Sequence, residues 1–315
     1  MGLIYDVSAK DELSKLVLDN VRKTAPILDY VHFFYQPGGS ALVRSDADVN
    51  ANALFRAIAA DFASKVDAAP SYATFALKIL GKTMRLDRAY EERGGDIPSE
   101  MKRELAAFGQ TLGRNLSNYI VNGDATLTPA QFNGLKKIVA ALGASQTLTA
   151  TGTNGLQVLT GVSDTAVSSQ QKFIEALQVL IGSVVNGAQL LVMNSSIWGR
   201  LSTVAAAQCD VTIDQFGRRI MTFAGVPVIH AGFNYDGTEV LPQTETKGTS
   251  TDCTSIYAFR SDEQAYFSLM TTKNGMKVYD MIMNGNFYEV TVELQADSQV
   301  LNNRAIAVLP GVRLG

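Results

Sequence analysis

Asn118-Tyr-Ile-Val-Asn-Gly-Asp124 closes a long amphipathic helix, and its reading decides the fold. Working back from it, Tyr119/Ile120, Leu116, Leu112, Phe108, Leu105 and Met101 recur at helical spacing and make one apolar stripe. Pro98 suits the first turn, where its missing N–H goes unneeded, and Glu100 meets the positive end of the helix dipole. Asn122-Gly123 supplies the expected stop, a left-handed residue just past the last turn. The predicted helix is about 22 residues long, roughly 33 Å at the helical rise.

Further along, Phe132-Asn-Gly-Leu135 turns the chain, and Gln189-Leu-Leu-Val-Met193 is a short apolar run of buried-strand character. Asn194-Ser-Ser196 then caps a helix carrying Ile197, Leu201 and Val204, and a polar hairpin leads into Phe223-Ala-Gly-Val-Pro-Val-Ile229. The long helix, the strand ending in Met-Asn with its helix, and the Gly-Val-Pro-Val strand, in this order, resemble the major capsid proteins of tailed bacteriophages, which have the Hong Kong 97-like fold. The resemblance runs at the level of pattern over residues 26 to 312 and is strongest from 98 to 310. It implies an α+β subunit with an amino-terminal arm over 1–36 and an extended hairpin loop over 37–93. A peripheral domain with a long spine helix over 94–134 and an axial domain over 135–275 would follow, with a return to the peripheral domain and a carboxy-terminal strand over 276–315.

The rest of the chain is read from its punctuation. Ser8-x-x-Asp11 resembles a capping box ahead of a short helix with Leu13, Leu16, Val17 and Val21 on one stripe. Pro37-Gly-Gly39 breaks the chain, Ala41-Leu-Val43 starts a strand, and 51–63 reads as a helix or an alanine-rich segment. Pro70 opens a strand in which Ala73, Phe75, Leu77 and Ile79 alternate with more polar residues. Little between Pro37 and Arg93 would close a separate core, which suggests a projecting arm whose apolar face something else buries. In the resemblance that something is a neighbouring subunit. Phe75, Leu77 and Ile79 are therefore candidate inter-subunit contacts, with Arg85, Arg88, Glu91 and Glu92 as charges for pairing across subunits. Beyond Gly134, Ser168-x-x-Gln171 is expected to cap a helix running to about Val185. Residues 234–254 read as an exposed polar loop, Ser255 to Met270 as a strand, Tyr288 to Gln295 as the clearest alternating strand, and Ala305 to Leu309 as the last one.

Composition bounds the function. With 315 residues, 46% hydrophobic and 18% charged, the chain buries a sizeable core, and a net charge of -3 gives no basic footprint for gripping nucleic-acid phosphates. There is no signal-peptide pattern and no apolar run long enough for a membrane span. Cys209 and Cys253 read as two free thiols, and neither they nor His32 and His230 have metal-ligand spacing. No glycine-rich phosphate loop, paired histidines or nucleophile elbow occurs, so no catalytic residue, cofactor or metal is expected. The resemblance instead implies a structural protein that self-associates into pentamers, usually also hexamers, of a closed icosahedral shell around phage double-stranded DNA, which it encloses without reading its sequence. It also implies a scaffolding protein and a portal as partners, with room for a decoration protein, and a place in the virion after assembly in the host cytoplasm. The arm-like helix follows soon after Met1, so scaffolding by a separate protein, or none, is expected, without a large cleavage of this chain. Some relatives join a lysine to an asparagine between subunits, but nothing in the spacing of Lys65, Lys78 or Lys82 marks such a lysine. An encapsulin-like compartment shell is the alternative within the fold, and a soluble enzyme the alternative outside it.

Overall fold

The computed structural model of the chain describes residues 12–35, 40–45, 71–149, 152–213, 217–261, 267–300 and 302–314. In chain order, α1 (Glu12–Thr24), β1 (His32–Tyr35), β2 (Ser40–Ser45), β3 (Ser71–Ala76) and β4 (Lys78–Asp87) precede α2 (Ala89–Glu92) and the long helix α3 (Ile97–Asn122). Next come α4 (Leu135–Leu142), β5 (Leu156–Val158), α5 (Asp164–Ser183), β6 (Leu190–Met193), α6 (Ser195–Val204), β7 (Cys209–Ile213), β8 (Arg219–Phe223) and β9 (Val226–His230). The last third is β: β10 (Glu245–Lys247), β11 (Ser250–Phe259), β12 (Phe267–Val278), β13 (Ile282–Asn284), β14 (Phe287–Val300) and β15 (Ile306–Leu314). The expected capping box at Ser8 and the helix over 51–63 lie outside the described residues.

Helix α3 runs to 26 residues, and Ile97, buried ahead of Pro98, already belongs to it. Its inner stripe of Met101, Leu105, Leu112, Leu116 and Ile120 is buried as the spacing requires. The stop differs from the expectation: Gly123 sits at φ -52°, not in the left-handed region. Glycine is needed there for space, since a Cβ would lie 2.4 Å from the Phe132 carbonyl oxygen and 2.5 Å from that of Tyr119. Two further glycines on α3 admit α1 at close range. A Cβ on Gly109 would meet the Val17 carbonyl at 2.9 Å, and one on Gly113 would meet Thr24 Oγ1 at 2.1 Å.

Three sheets organise the strands. One has five strands in the order β1, β12, β14, β13, with β4 pairing the other side of β14 over Asp87 to Lys78. Its inner face, with Leu269, Val290, Val292 and Leu294, packs with α1 and α3. The second sheet has eight strands, β5, β15, β11, β6, β9, β8 and β7, with β10 beside β11. Both faces of its central strands are covered. Leu191, Met193, Ile256, Ala258 and Leu309 join α5 and α6, while Leu190, Val192, Phe259 and Ile306 join the core around α3. That is why β6 is apolar without alternation, and each such side chain, fully buried, contributes roughly 1.5–3 kcal/mol. The third sheet is the β2–β3 hairpin alone.

Local signals failed where tertiary contacts won. α5 starts at Asp164 with Ser163 as its cap, accepting from Ala166 N–H, so Ser168 lies inside the helix. The strand expected over Ser255 to Met270 is two strands in different sheets, β11 and β12. Residues 234–254 are not a wholly exposed loop. Val240 and Leu241 are buried, because Asn122 Nδ2 donates to the Val240 carbonyl at 2.7 Å and Asn194 Nδ2 donates to the Leu241 carbonyl. The quoted stretch at the end of α3 thus ties that helix to the eight-stranded half of the molecule.

Candidate assembly surfaces

The alternation of Phe75, Leu77 and Ile79 does not survive as one continuous face. β3 pairs with β2 up to Ala76, β4 pairs with β14 from Lys78, and Leu77 is the single residue between the two ladders. Across that step the sides are reassigned. Leu80, Met84 and Leu86 pack toward the core, whereas Ile79 lies on the opposite face and is 66% exposed; Phe75 and Leu77 are half-buried. β4 leaves its second edge without a strand partner among the described residues, and an open groove of about 590 Å³ lies between it and α3, lined by Leu80, Met84, Phe108, Leu112 and Phe132.

All four charges expected to pair across subunits have partners inside the chain. Arg85 Nε lies 2.7 Å from Glu289 Oε1 on β14, Arg88 lies 3.5 Å from Glu92 one turn on, and Glu91 accepts from the Tyr288 hydroxyl at 2.7 Å. The Tyr288 phenol is pushed above its ordinary range by that bond to Glu91. Arg85 and Glu91 brace β4 and α2 against β14, as cross-strand pairs do.

Other exposed apolar residues went unread in the sequence. On and around β13, Tyr279, Met281, Ile282, Met283 and Phe287 are all exposed, Ile282 at 59%. The available signal was the Asn284-Gly285 turn directly after an apolar run, with Gly285 at φ 61°. On β7, an edge strand of the larger sheet, Val211 and Ile213 stand 62% and 72% exposed. The hairpin of β7 and β8 rests on the start of the chain through Arg218, which donates to the Arg22 carbonyl at 2.9 Å and pairs with Asp29, itself paired with Arg22 at 2.8 Å.

Among the described residues, no catalytic constellation assembles around the cysteines and histidines. Burial raises both thiols, Cys209 and Cys253, away from the thiolate form, and both are free. Burial lowers His230, whose ring meets Trp198 edge-on at 6.0 Å. No group of three metal-ligating side chains forms among the described residues, and none of their helices is long and apolar enough to cross a membrane.

Comparison with known proteins gives the fold a counterpart. No family model matches the chain, and neither does any curated protein sequence. Solved structures do match along almost its whole length. The holo-SrpI encapsulin complex from Synechococcus elongatus PCC 7942 is similar at a TM-score of 0.60 and 15% identity, covering 93% of this chain and 89% of that one. The capsid of an empty GTA particle is similar at 0.56 and 14%, over 92% and 90% of the two chains. The procapsid of satellite phage P4 is similar at 0.51 and 8%, over 95% and 99%. The chain has the Hong Kong 97-like fold that the order of its segments resembled, an α+β fold shared by capsids and compartment shells.

Proposed function

We propose that this chain is the major capsid protein of a tailed bacteriophage, a structural protein that self-assembles into an icosahedral shell around double-stranded DNA. The observation that carries the reading is the fold, matched over more than nine-tenths of the chain in particles built from many copies. The exposed apolar residues of β13 and β7, the edge of β4 that has no strand partner among the described residues, and the β2–β3 hairpin give such a shell its contacts. In this reading the arm spans 1–36, the extended loop 37–93, the peripheral domain 94–134 and 276–304, and the axial domain 135–275 with the closing strand. Phe75, Leu77 and Ile79 meet a neighbouring subunit, together with Ile282 and Met283. Arg85 and Glu91 chiefly hold the subunit's own sheet edge. Pentamers and hexamers, a scaffolding protein, a portal and the host cytoplasm as the place of assembly belong to the same proposal.

A second reading, a compartment shell that holds a protein cargo, is favoured by the likeness to the encapsulin complex. Contents separate the two. Electron microscopy of particles formed by the expressed chain, followed by nuclease treatment and mass spectrometry of particles from the native source, is expected to find closed shells holding nuclease-protected double-stranded DNA. A dominant cargo protein without DNA establishes the compartment instead, and a stable monomer under all assembly conditions overturns both.

A further inference from the structure

Among the described residues, the step from the β2–β3 hairpin into β4 is spanned by a hydrogen bond from one side chain of β14. Between Ala76, the last residue of β3 paired with β2, and Lys78, the first of β4 paired with β14, the chain passes from one sheet into another. The β4–β14 ladder ends at the pair Lys78 and Ala296, and the next residue of β14 is Asp297. Asp297 is 9% exposed, and its carboxylate uses both oxygens. Oδ2 accepts the Ala76 N–H at 3.0 Å, and Oδ1 accepts the N–H of Ser298 at 2.9 Å. One oxygen is anchored to β14 and the other reaches over the break to the hairpin.

The geometry points to Asp297 as the clamp that fixes the direction in which the β2–β3 hairpin leaves the five-stranded sheet. Two N–H donors on two separate oxygens call for an ionised carboxylate. An amide of the same shape has one acceptor oxygen, and its NH₂ group would face one of the two donors. Burial works against the charge and pushes the Asp297 carboxyl above its ordinary value, while the bonds from Ala76 and Ser298 and the Lys78 ammonium favour ionisation. Lys78, on β4, is the charged group that acts on it among the described residues; across the ladder on β12 its partner is Met270, which is buried and uncharged. Protonation converts the charge-assisted bond to a neutral one, so the clamp is tight above the raised pKa and slackens as pH falls through it. The clamp stands on the chain's own geometry; that it aims the hairpin at another copy rests on the shell reading.

Amide hydrogen exchange on the full chain tests it. In Asp297→Asn, exchange at Ala76 and the adjoining hairpin residues is expected to quicken about tenfold, the loss of one charge-assisted bond, while β12 and β14 keep their protection. Unchanged protection at Ala76, or loss spread evenly through β12 and β14, overturns the clamp. Should the variant fail to fold, the wild type decides: the exchange rate of Ala76, corrected for the intrinsic effect of pH, must rise in the range where the Asp297 carboxyl carbon titrates by NMR, and a mismatch of the two ranges overturns it. Particle counts by microscopy report separately on the shell reading, because a loosened hinge with unaltered particles removes only the link between clamp and assembly.

Discussion

Leu190-Leu-Val-Met193 and Met281-Ile-Met283 are near equivalents as sequence and opposites as structure. The first, β6, lies between β11 and β9 and is buried at every residue. The second enters β13, a three-residue strand on the edge of the five-stranded sheet, exposed at every residue. The difference is one of position, since a central strand covered by a layer on each face has nowhere to present a side chain to water, and a short end strand has little else. An apolar strand therefore reports that burial is needed and leaves open which molecule supplies it.

The largest effect should come from the buried member. Val192→Asp places a carboxylate between two covered layers, a cost of about 4 kcal/mol or more against a typical total of roughly 5–15 kcal/mol. Insoluble protein, or loss of the cooperative melt by circular dichroism, is expected, and a normal melt would break the comparison outright. Gly113→Ala should follow, because the new Cβ would stand 2.1 Å from Thr24 Oγ1 and 2.7 Å from the Val21 carbonyl. Overpacking between α1 and α3 should cost about 1–3 kcal/mol, read as a lower unfolding midpoint in denaturant with an unchanged slope.

The exposed member should respond in the reverse sense. Ile282→Asp with Met283→Asp is expected to shift unfolding of the isolated subunit by about 0.5 kcal/mol or less, as surface changes do, yet to abolish closed particles in microscopy and light scattering. Phe75→Asp with Ile79→Asp should behave alike. An unfolded product from either pair would show that the face belongs to the subunit's own core. The smallest effect concerns the loop after α3, where Thr126 hydrogen bonds, aided by Lys137 at 3.0 Å, hold the Asp124 carboxyl down to about 2. A lowered value means a contribution present above the ordinary 3.8 and lost as pH falls from there through about 2. Asp124→Asn should remove that part of the acid dependence from the melting midpoint and lower the midpoint slightly at neutral pH, where the contribution is present.

What was legible in the sequence is what short-range chemistry decides. The stripe of α3, the Asn194 cap, whose side chain accepts from Ser196 N–H, and the alternation of Val290, Val292 and Leu294 each follow from neighbours within a turn or a strand. The hairpin hinge was not legible, because Ala73, Phe75, Leu77 and Ile79 alternate smoothly through a point where the pairing partner changes from β2 to β14. The roles of Gly109 and Gly113 were hidden for a similar reason: they are glycine for the sake of α1, which the helix's own periodicity does not mention. The pairing of Arg85 and Glu91 inside the chain was not legible either, because Glu289 and Tyr288, their partners, lie about two hundred residues away.

The five-stranded sheet also sets a timetable for synthesis. β1 pairs in parallel with β12, and the His32 N–H donates to Ser261 Oγ across 229 residues. At a translation rate of 5–20 residues per second, β1 waits roughly ten to fifty seconds for that partner to leave the ribosome. α1 and α3 dock early, while β4 emerges without β14 and spends the same interval with both edges open. The nascent chain is therefore most exposed to mispairing with other nascent copies just before its last fifty or so residues arrive, and neighbouring ribosomes on one message would be where such errors concentrate.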